Sequence, residues 1–304
     1  MIAPNLPYHP SPRRPEISLP PGACDAHCHV FGPAARFPFA PERTYTPIDA
    51  PKETLFALHR HLGIDRAVLV QASCHGTDNS AMLDMIAASD GACRGVAMVR
   101  ADVTDAELRA LHEGGVRGVR FNFVTHLGKD ADFGGIRGIV EKIAPLGWHA
   151  VVHFDADRLP VLAPFLKELP LPMVIDHMGR VDASKGVGQP AFGMLLDLME
   201  DDRFWVKVCG PERISRAGPP FHDAVPFARL LVDRFTDRVL WGTDWPHPNI
   251  KVHMPDDGAL VDLLAHVAPD PARLRTLLVD NPTRLYWPET VRSAAPAGAL
   301  AEKV

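Results

Sequence analysis

Short apolar runs alternate along this chain with stretches of helical periodicity, and this alternation limits the fold more than any other feature. ACDAHCHVF, RAVLVQAS, RGVAMVR, GVRFNFV, HAVVHFD, MVIDHMG, FWVKVCG and RVLWGTD are each too short for a typical helix. They are valine-rich and apolar on both faces, as strands of a buried parallel sheet are. Between them lie ETLFALHRHLG, DNSAMLDMIAAS, TDAELRALHEGG, GIRGIVEKIAPLG, LPVLAPFLKEL, PAFGMLLDLMED and HDAVPFARLLVDRF, several of which begin near Thr, Asp or Ser and end at Gly, as helix caps require. Eight strand-then-helix units at a steady spacing predict an α/β fold closed as a (β/α)8 TIM barrel rather than an open doubly wound sheet. A chain of 304 residues suits one such unit.

The barrel domain is expected to span residues 22–287. Residues 1–21 form a Pro-rich extension without regular structure, able to pack on the barrel, and residues 288–304 a flexible tail. Residues 31–51 follow the first strand as an unusually long loop rich in proline and aromatics, the composition of an ordered lid or binding wall.

Composition excludes several partners. With 46% hydrophobic and 23% charged residues and a net charge of −5, the chain has no basic footprint for nucleic acid and no cationic block for lipid. No apolar run approaches a membrane span, and the N-terminal segment has no apolar stretch of the secretory kind. Five cysteines without a C-x-x-C pair read as reduced thiols, which points to the cytoplasm. The expected partner is a small molecule; no oligomeric state is legible.

In a barrel the C-terminal strand ends converge on one site. Here those ends carry His27 and His29, Ser73 and His75, Arg120 and Asn122, His153, His177 and Arg180, Lys207, and Asp244. His-x-His puts both imidazoles on one side of a strand, because side chains alternate with period two. Two histidines ending strand one, histidines ending strands five and six and an aspartate ending strand eight read together as a functional constellation rather than as core histidines. Sequence signals for a serine elbow (G-x-S-x-G), a dinucleotide loop (G-x-G-x-x-G) or a Walker loop are absent.

The motifs DAHCH, IDHMGR and WGTDWPHP resemble the amidohydrolase superfamily. With PPGACDAHCHVFGP, FPFAPERTYTP, QASCHGTDN and GVRGVRFNF, the chain from about Pro20 to Trp287 is most similar to the 2-pyrone-4,6-dicarboxylate lactonases of lignin-derived aromatic catabolism. The resemblance implies a hydrolase that opens a small carboxylate-bearing lactone, most like the conversion of 2-pyrone-4,6-dicarboxylate to 4-oxalomesaconate. It implies that Asp244 activates water and that His27, His29 and His177 polarise the carbonyl or hold the water. It further implies that Tyr45, Ser73, Arg120, Arg180 and Arg213 bind substrate, where the planar guanidinium forks suit carboxylates.

Two positions depart from that pattern. His126 stands where the lactonases have an arginine, and His153 where they have a tyrosine; both remain expected substrate contacts. His153 also restores a fuller superfamily ligand set. The second reading is therefore a metal-dependent lactonase, hydratase or decarboxylase acting on another small acid or sugar-acid lactone. One zinc or manganese ion would then sit on His27, His29, His153 and Asp244. The lactonase resemblance itself requires no metal. A third reading, a non-catalytic binder of small acids, does not account for a carboxylate facing several imidazoles. His75 and His247 are expected beside the site. His59, His61 and His112 are expected to face solvent from helices, and Lys207 to reach the pocket or pair with a neighbouring acid.

Overall fold

The computed structural model describes residues 5–124 and 132–290. Eight parallel strands run in chain order: β1 (Cys24–Cys28), β2 (Arg66–Val70), β3 (Cys93–Ala97), β4 (Val116–Asn122), β5 (His149–His153), β6 (Met173–Ile175), β7 (Phe204–Lys207) and β8 (Val239–Leu240). The gap between β8 and β1 is bridged by backbone bonds, with Ala26 N–H donating to Trp241 O and Asp244 N–H to His27 O. The fold is the expected (β/α)8 barrel. Its outer helices include α1 (Lys52–Leu62), α2 (Ser80–Ala87), α3 (Asp105–Glu113), α4 (Phe133–Ile143), α5 (Leu159–Glu168) and α6 (Pro190–Met199). The short α7 (Pro211–Ile214) and α8 (Val225–Arg234) follow. Among them α3 has the full reciprocal cap: Glu107 N–H donates to Thr104 Oγ1, while Thr104 N–H donates to the Glu107 carboxylate.

Strand alternation divides the core in two. Val68, Val70, Val96, Val151, Val174, Trp205 and Leu240 fill the barrel with Tyr286 and Trp287, while Ala67, Leu69, Ala150, Val152, Phe204 and Val206 pack outward against the helices. The same phase carries Arg120, His153 and Lys207 inward on their strands. β1 breaks it. Asp25 pairs with Ala67 and Cys28 with Leu69, so Ala26 and His27 together oppose Val68. Strict alternation from Cys24 and Ala26 would turn both histidines outward; the extra residue of this bulge brings His27 and His29 inward instead.

Residues 5–21 have no helix or strand and lie along the barrel. Leu6 N–H donates to Ile250 O (3.0 Å), Arg13 N–H to Asp256 and Glu16 N–H to Asp262 Oδ1 (2.7 Å), and Tyr8 packs against Trp245 with ring centroids 5.0 Å apart. The 31–51 loop closes on itself through the Phe31–Ala50 bridge. Most of the tail anticipated at 288–304 lies outside the described residues. No helix among the described residues is long and apolar enough to cross a membrane.

Candidate active site

The eighth strand shows how the site is assembled. β8 ends at Leu240, two residues before Gly242, whose missing side chain lets the segment press on β1: a Cβ there would lie 2.4 Å from His27 N. The turn is held by Asp25, buried on the outer face of β1. Its carboxylate accepts Thr243 N–H (3.0 Å), Thr243 Oγ1–H (2.6 Å), His27 N–H (3.1 Å) and His59 Nε2–H (3.1 Å). His59 is therefore not solvent-facing as expected; it crosses from α1 to a buried carboxylate. His112 is half-buried and accepts Trp148 Nε1–H (2.9 Å), and His61 reaches Pro12 O, so neither fits a freely solvated face. Asp244 follows with φ 64, a left-handed backbone that only tight packing sustains in a non-glycine residue.

The sixth strand differs from expectation in the same manner. β6 stops at Ile175, and His177, Met178, Gly179 and Arg180 all have φ between 50 and 63. His177 and Arg180 thus sit on a left-handed turn rather than on the strand. Gly210, with φ 68, passes so close that a Cβ would lie 2.6 Å from His177 Nδ1.

These elements enclose a cavity of about 230 Å³ lined by His29, Tyr45, Ser73, Arg120, Asn122, His153, His177, Arg180, Glu212, Arg213 and Asp244, with Pro248–Ile250 at one side. Nine of the eleven expected site residues line it. His27 does not line it; it lies fully buried beneath Asp244, with Nε2 3.5 Å from Oδ1. His126 lies outside the described residues.

Asp244 is the centre of the arrangement. Its Oδ2 accepts Arg213 Nε–H (2.8 Å) and Nη2–H (2.6 Å), and its Oδ1 faces His29 Nε2 at 3.1 Å. Burial pushes its carboxyl pKa up, but the Arg213 guanidinium, His177 and the His29 bond outweigh this and hold it well below the usual range. His29 Nδ1 lies 2.6 Å from Val70 O. A carbonyl only accepts, so Nδ1 carries a hydrogen and donates it there. His177 is driven down to about 4 by burial, hence neutral.

Beneath the cavity lies a second ionic layer that sequence reasoning only touched. Asp176 accepts Arg120 Nε–H (3.2 Å) and Nη2–H (3.0 Å), and Lys207 Nζ lies 3.3 Å from its other oxygen and 2.9 Å from His27 Nδ1. Lys207 thus does pair with an acid, and it has no exposure at all. Burial opposes ionisation of Asp176, yet Lys207, His27 and Arg120 keep it well below the usual carboxylate range. Arg180 Nε–H donates to Asp155 (2.9 Å). His75 Nδ1–H donates to Pro38 O (3.2 Å) under the 31–51 loop, outside the cavity wall. His247 sits between Asp257 (3.0 Å) and Glu212 (3.6 Å) behind Arg213. Asp176 and Glu212 were not anticipated. The signal was present: IDHMGR places an acid directly after an apolar strand, and the inward lysine ending FWVK requires a counter-charge.

Among the described residues, three groups bring ligand-type atoms within 4.8 Å of one another: Asp25, Cys28 and His59; His27, His177 and Asp244; and Glu212, Asp244 and His247. His153 belongs to none of them, and its Nδ1 lies 3.2 Å from Arg120 Nη2. The expected set of His27, His29, His153 and Asp244 is therefore not gathered as one group.

The family model described as Amidohydrolase matches residues 24–287. The chain is 54% identical to the 2-pyrone-4,6-dicarboxylate hydrolase of Comamonas testosteroni, over 94% of this chain and 97% of that one. It is 42% identical to the 4-sulfomuconolactone hydrolase of Hydrogenophaga intermedia, over 92% of each. Its fold matches the crystal structure of a probable 2-pyrone-4,6-dicarboxylic acid hydrolase from Acinetobacter baumannii with citric acid bound, with TM-score 0.78 and 28% identity over 88% of this chain and 99% of that one. The chain belongs to the amidohydrolase family, among relatives that hydrolyse small cyclic esters.

Proposed function

We propose that the protein hydrolyses 2-pyrone-4,6-dicarboxylate or a close carboxylate-bearing lactone, with Asp244 as the base that takes a proton from water. The observation that carries this reading is an ionised carboxylate, held between His29 and Arg213, at the floor of a cavity walled by Arg120, Arg180 and Arg213. Three guanidinium groups around about 230 Å³ favour a small polyanion over a neutral ester. The citric acid in the Acinetobacter relative is such a polyanion.

In this reading the substrate's carboxylates engage Arg180 and Arg120 and compete for Arg213. A weakened Arg213–Asp244 pair returns basicity to Asp244, which is otherwise too acidic for an efficient general base near neutral pH. Asp244 accepts the proton of the attacking water. The developing oxyanion is met by the Nε2–H of neutral His177. Asp244 then returns its proton to the ring oxygen that leaves. Tyr45 and Ser73 close the wall from the 31–51 side. His27 acts from below, through Asp244, rather than on the substrate.

A resident divalent metal does not fit the donor set. Arg213 already spans one edge of Asp244 with two hydrogen bonds, and Lys207 directs a cation at His27. A dication would add charge to a site whose two carboxylates, Asp244 and Asp176, are already matched by Arg213, Lys207 and Arg120.

The test is hydrolysis of 2-pyrone-4,6-dicarboxylate, 4-sulfomuconolactone and a sugar-acid lactone, with and without chelator. The highest kcat/KM is expected for the pyrone dicarboxylate, unchanged by chelator. Preference for a neutral lactone, or loss of activity on chelation, would refute the reading.

A further inference from the structure

Lys207 is the least expected group near the site: a lysine with no exposure, inside the barrel, one layer below the cavity. Burying an ammonium is costly unless it is paired and hydrogen-bonded. Its partners are Asp176 Oδ1 at 3.3 Å and His27 Nδ1 at 2.9 Å. The second contact has a consequence for proton placement. An ammonium has three donors and no acceptor, so His27 Nδ1 must accept from it. The same nitrogen lies 3.2 Å from Asp176 Oδ1, to which it would otherwise donate. With Nδ1 accepting, neutral His27 carries its hydrogen on Nε2, the nitrogen turned toward Asp244. Burial, reinforced by Lys207, keeps this imidazole neutral.

A metal ligand nitrogen must be bare, and its partner nitrogen normally donates to a carboxylate or carbonyl. His27 has the carboxylate at hand in Asp176, yet Lys207 takes that place. We propose that Lys207 is the residue that bars a divalent cation from the His27, His177 and Asp244 cluster, by fixing His27 as its Nε2–H tautomer. His177 is not the barrier. Its Nδ1 faces Cys209 Sγ at 3.3 Å, and a thiol can donate or accept there. At Asp244, Arg213 on Oδ2 opposes a cation by its charge, but Oδ1, which faces both His29 Nε2 (3.1 Å) and His27 Nε2 (3.5 Å), remains open to one. His27 alone is locked by a group that cannot reverse its hydrogen bond. The protein thus retains a latent metal site in which Arg213 adds opposing charge and Lys207 disables the one ligand nitrogen that cannot be freed by rotation.

Lys207→Met preserves most of the volume and removes the donor. Asp176 keeps its two bonds from Arg120 and can then accept His27 Nδ1–H, which frees Nε2. Metal uptake is read directly, by titrating the full-length wild type and variant with Co²⁺ and following visible absorption, and by zinc content after dialysis. The variant is expected to bind one equivalent about ten- to a hundredfold more tightly than the wild type, the range that such outer hydrogen bonds govern. The wild-type tautomer is read by long-range proton–nitrogen correlation of His27, with His27→Gln to assign the signal. A hydrogen on Nε2 is expected. A hydrogen on Nδ1, or a folded Lys207→Met that takes up no more metal than the wild type, would overturn the proposal. Although it rests on the metal-free reading of the site, neither measurement uses substrate. Failure of the lactone assignment and failure of this proposal are therefore separately visible.

Discussion

Arg213 and Asp244 are joined by two hydrogen bonds, 2.8 and 2.6 Å, from adjacent donors of one guanidinium to a single carboxylate oxygen. This pairing holds Asp244 ionised against its burial. Arg213→Met should therefore do two things. KM for a dicarboxylate should rise roughly ten- to a hundredfold through loss of a charge-assisted contact. The acid limb of the kcat profile should move to higher pH, because burial of Asp244 is no longer offset by its nearest cation. Steady-state kinetics from pH 4 to 9 (a range set by about the usual carboxylate and amine limits) check both. An unmoved acid limb would separate Asp244 from that titration.

His153 presents a different kind of contact. Arg120 donates to its Nδ1, so its hydrogen lies on Nε2, which is buried without a hydrogen-bond partner among the described residues. Burial and Arg120 keep the ring neutral. A neutral donor aimed at a substrate oxygen should be worth about 1 kcal/mol. His153→Phe is expected to raise KM about fivefold with kcat nearly constant. A large fall in kcat with KM unchanged would instead place His153 in the chemistry.

The turn that carries Asp244 depends on Thr243. Its Oγ1 donates to Asp25 and accepts Trp245 N–H (3.0 Å). Thr243→Val keeps the shape and removes both bonds in a fully buried place. The expected cost is about 2–4 kcal/mol, from two groups left unsatisfied, read as a shift in the urea midpoint. Turnover should fall as Asp244 loses its position. Equal stability of the two proteins would remove the Asp25 cluster from this role.

Buried histidines set the pH range of stability. His177 is lowered to about 4 and His149 to about 3, each first by burial. The unfolded chain protonates them first, so stability is lost as pH falls from about 6.5 toward those values. His247 has the opposite sign. Burial lowers it, but Asp257 and Glu212 outweigh that and raise it to about 10. Its stabilisation is complete below about 6.5 and is lost as pH rises to that value. Denaturant unfolding should show greatest stability close to pH 6.5 (about the ordinary histidine pKa), declining on both sides. A flat profile down to pH 4.5 (roughly two units lower) would contradict the burial of these rings.

The barrel was legible because its strands are apolar runs whose period-two phase persists in the structure. Arg120, His153 and Lys207 point inward by that phase alone. The pattern misled where the backbone leaves it. His27 and His29 are inward only through the bulge at Ala26 and His27, since simple alternation from Cys24 would send them out. His177, Arg180 and Asp244 sit at positive φ after strands shorter than their apolar runs suggest. The ionic layer of Asp176, Lys207 and Arg120, and the Glu212–His247–Asp257 group, join residues far apart in sequence. Charge compensation across a barrel has no local signature. His59 was read as exposed because an amphipathic helix says nothing of an acid on the neighbouring strand.

The central claim is that Asp244 is the base. Asp244→Asn keeps size and hydrogen-bonding shape while removing the charge, so the fold and substrate binding should persist. Turnover of 2-pyrone-4,6-dicarboxylate, followed by loss of pyrone absorbance, should fall at least a thousandfold (roughly the upper part of the range for a lost general base), with the ligand still bound in calorimetry. Turnover within tenfold of wild type (a change of about 1.4 kcal/mol) would contradict the account.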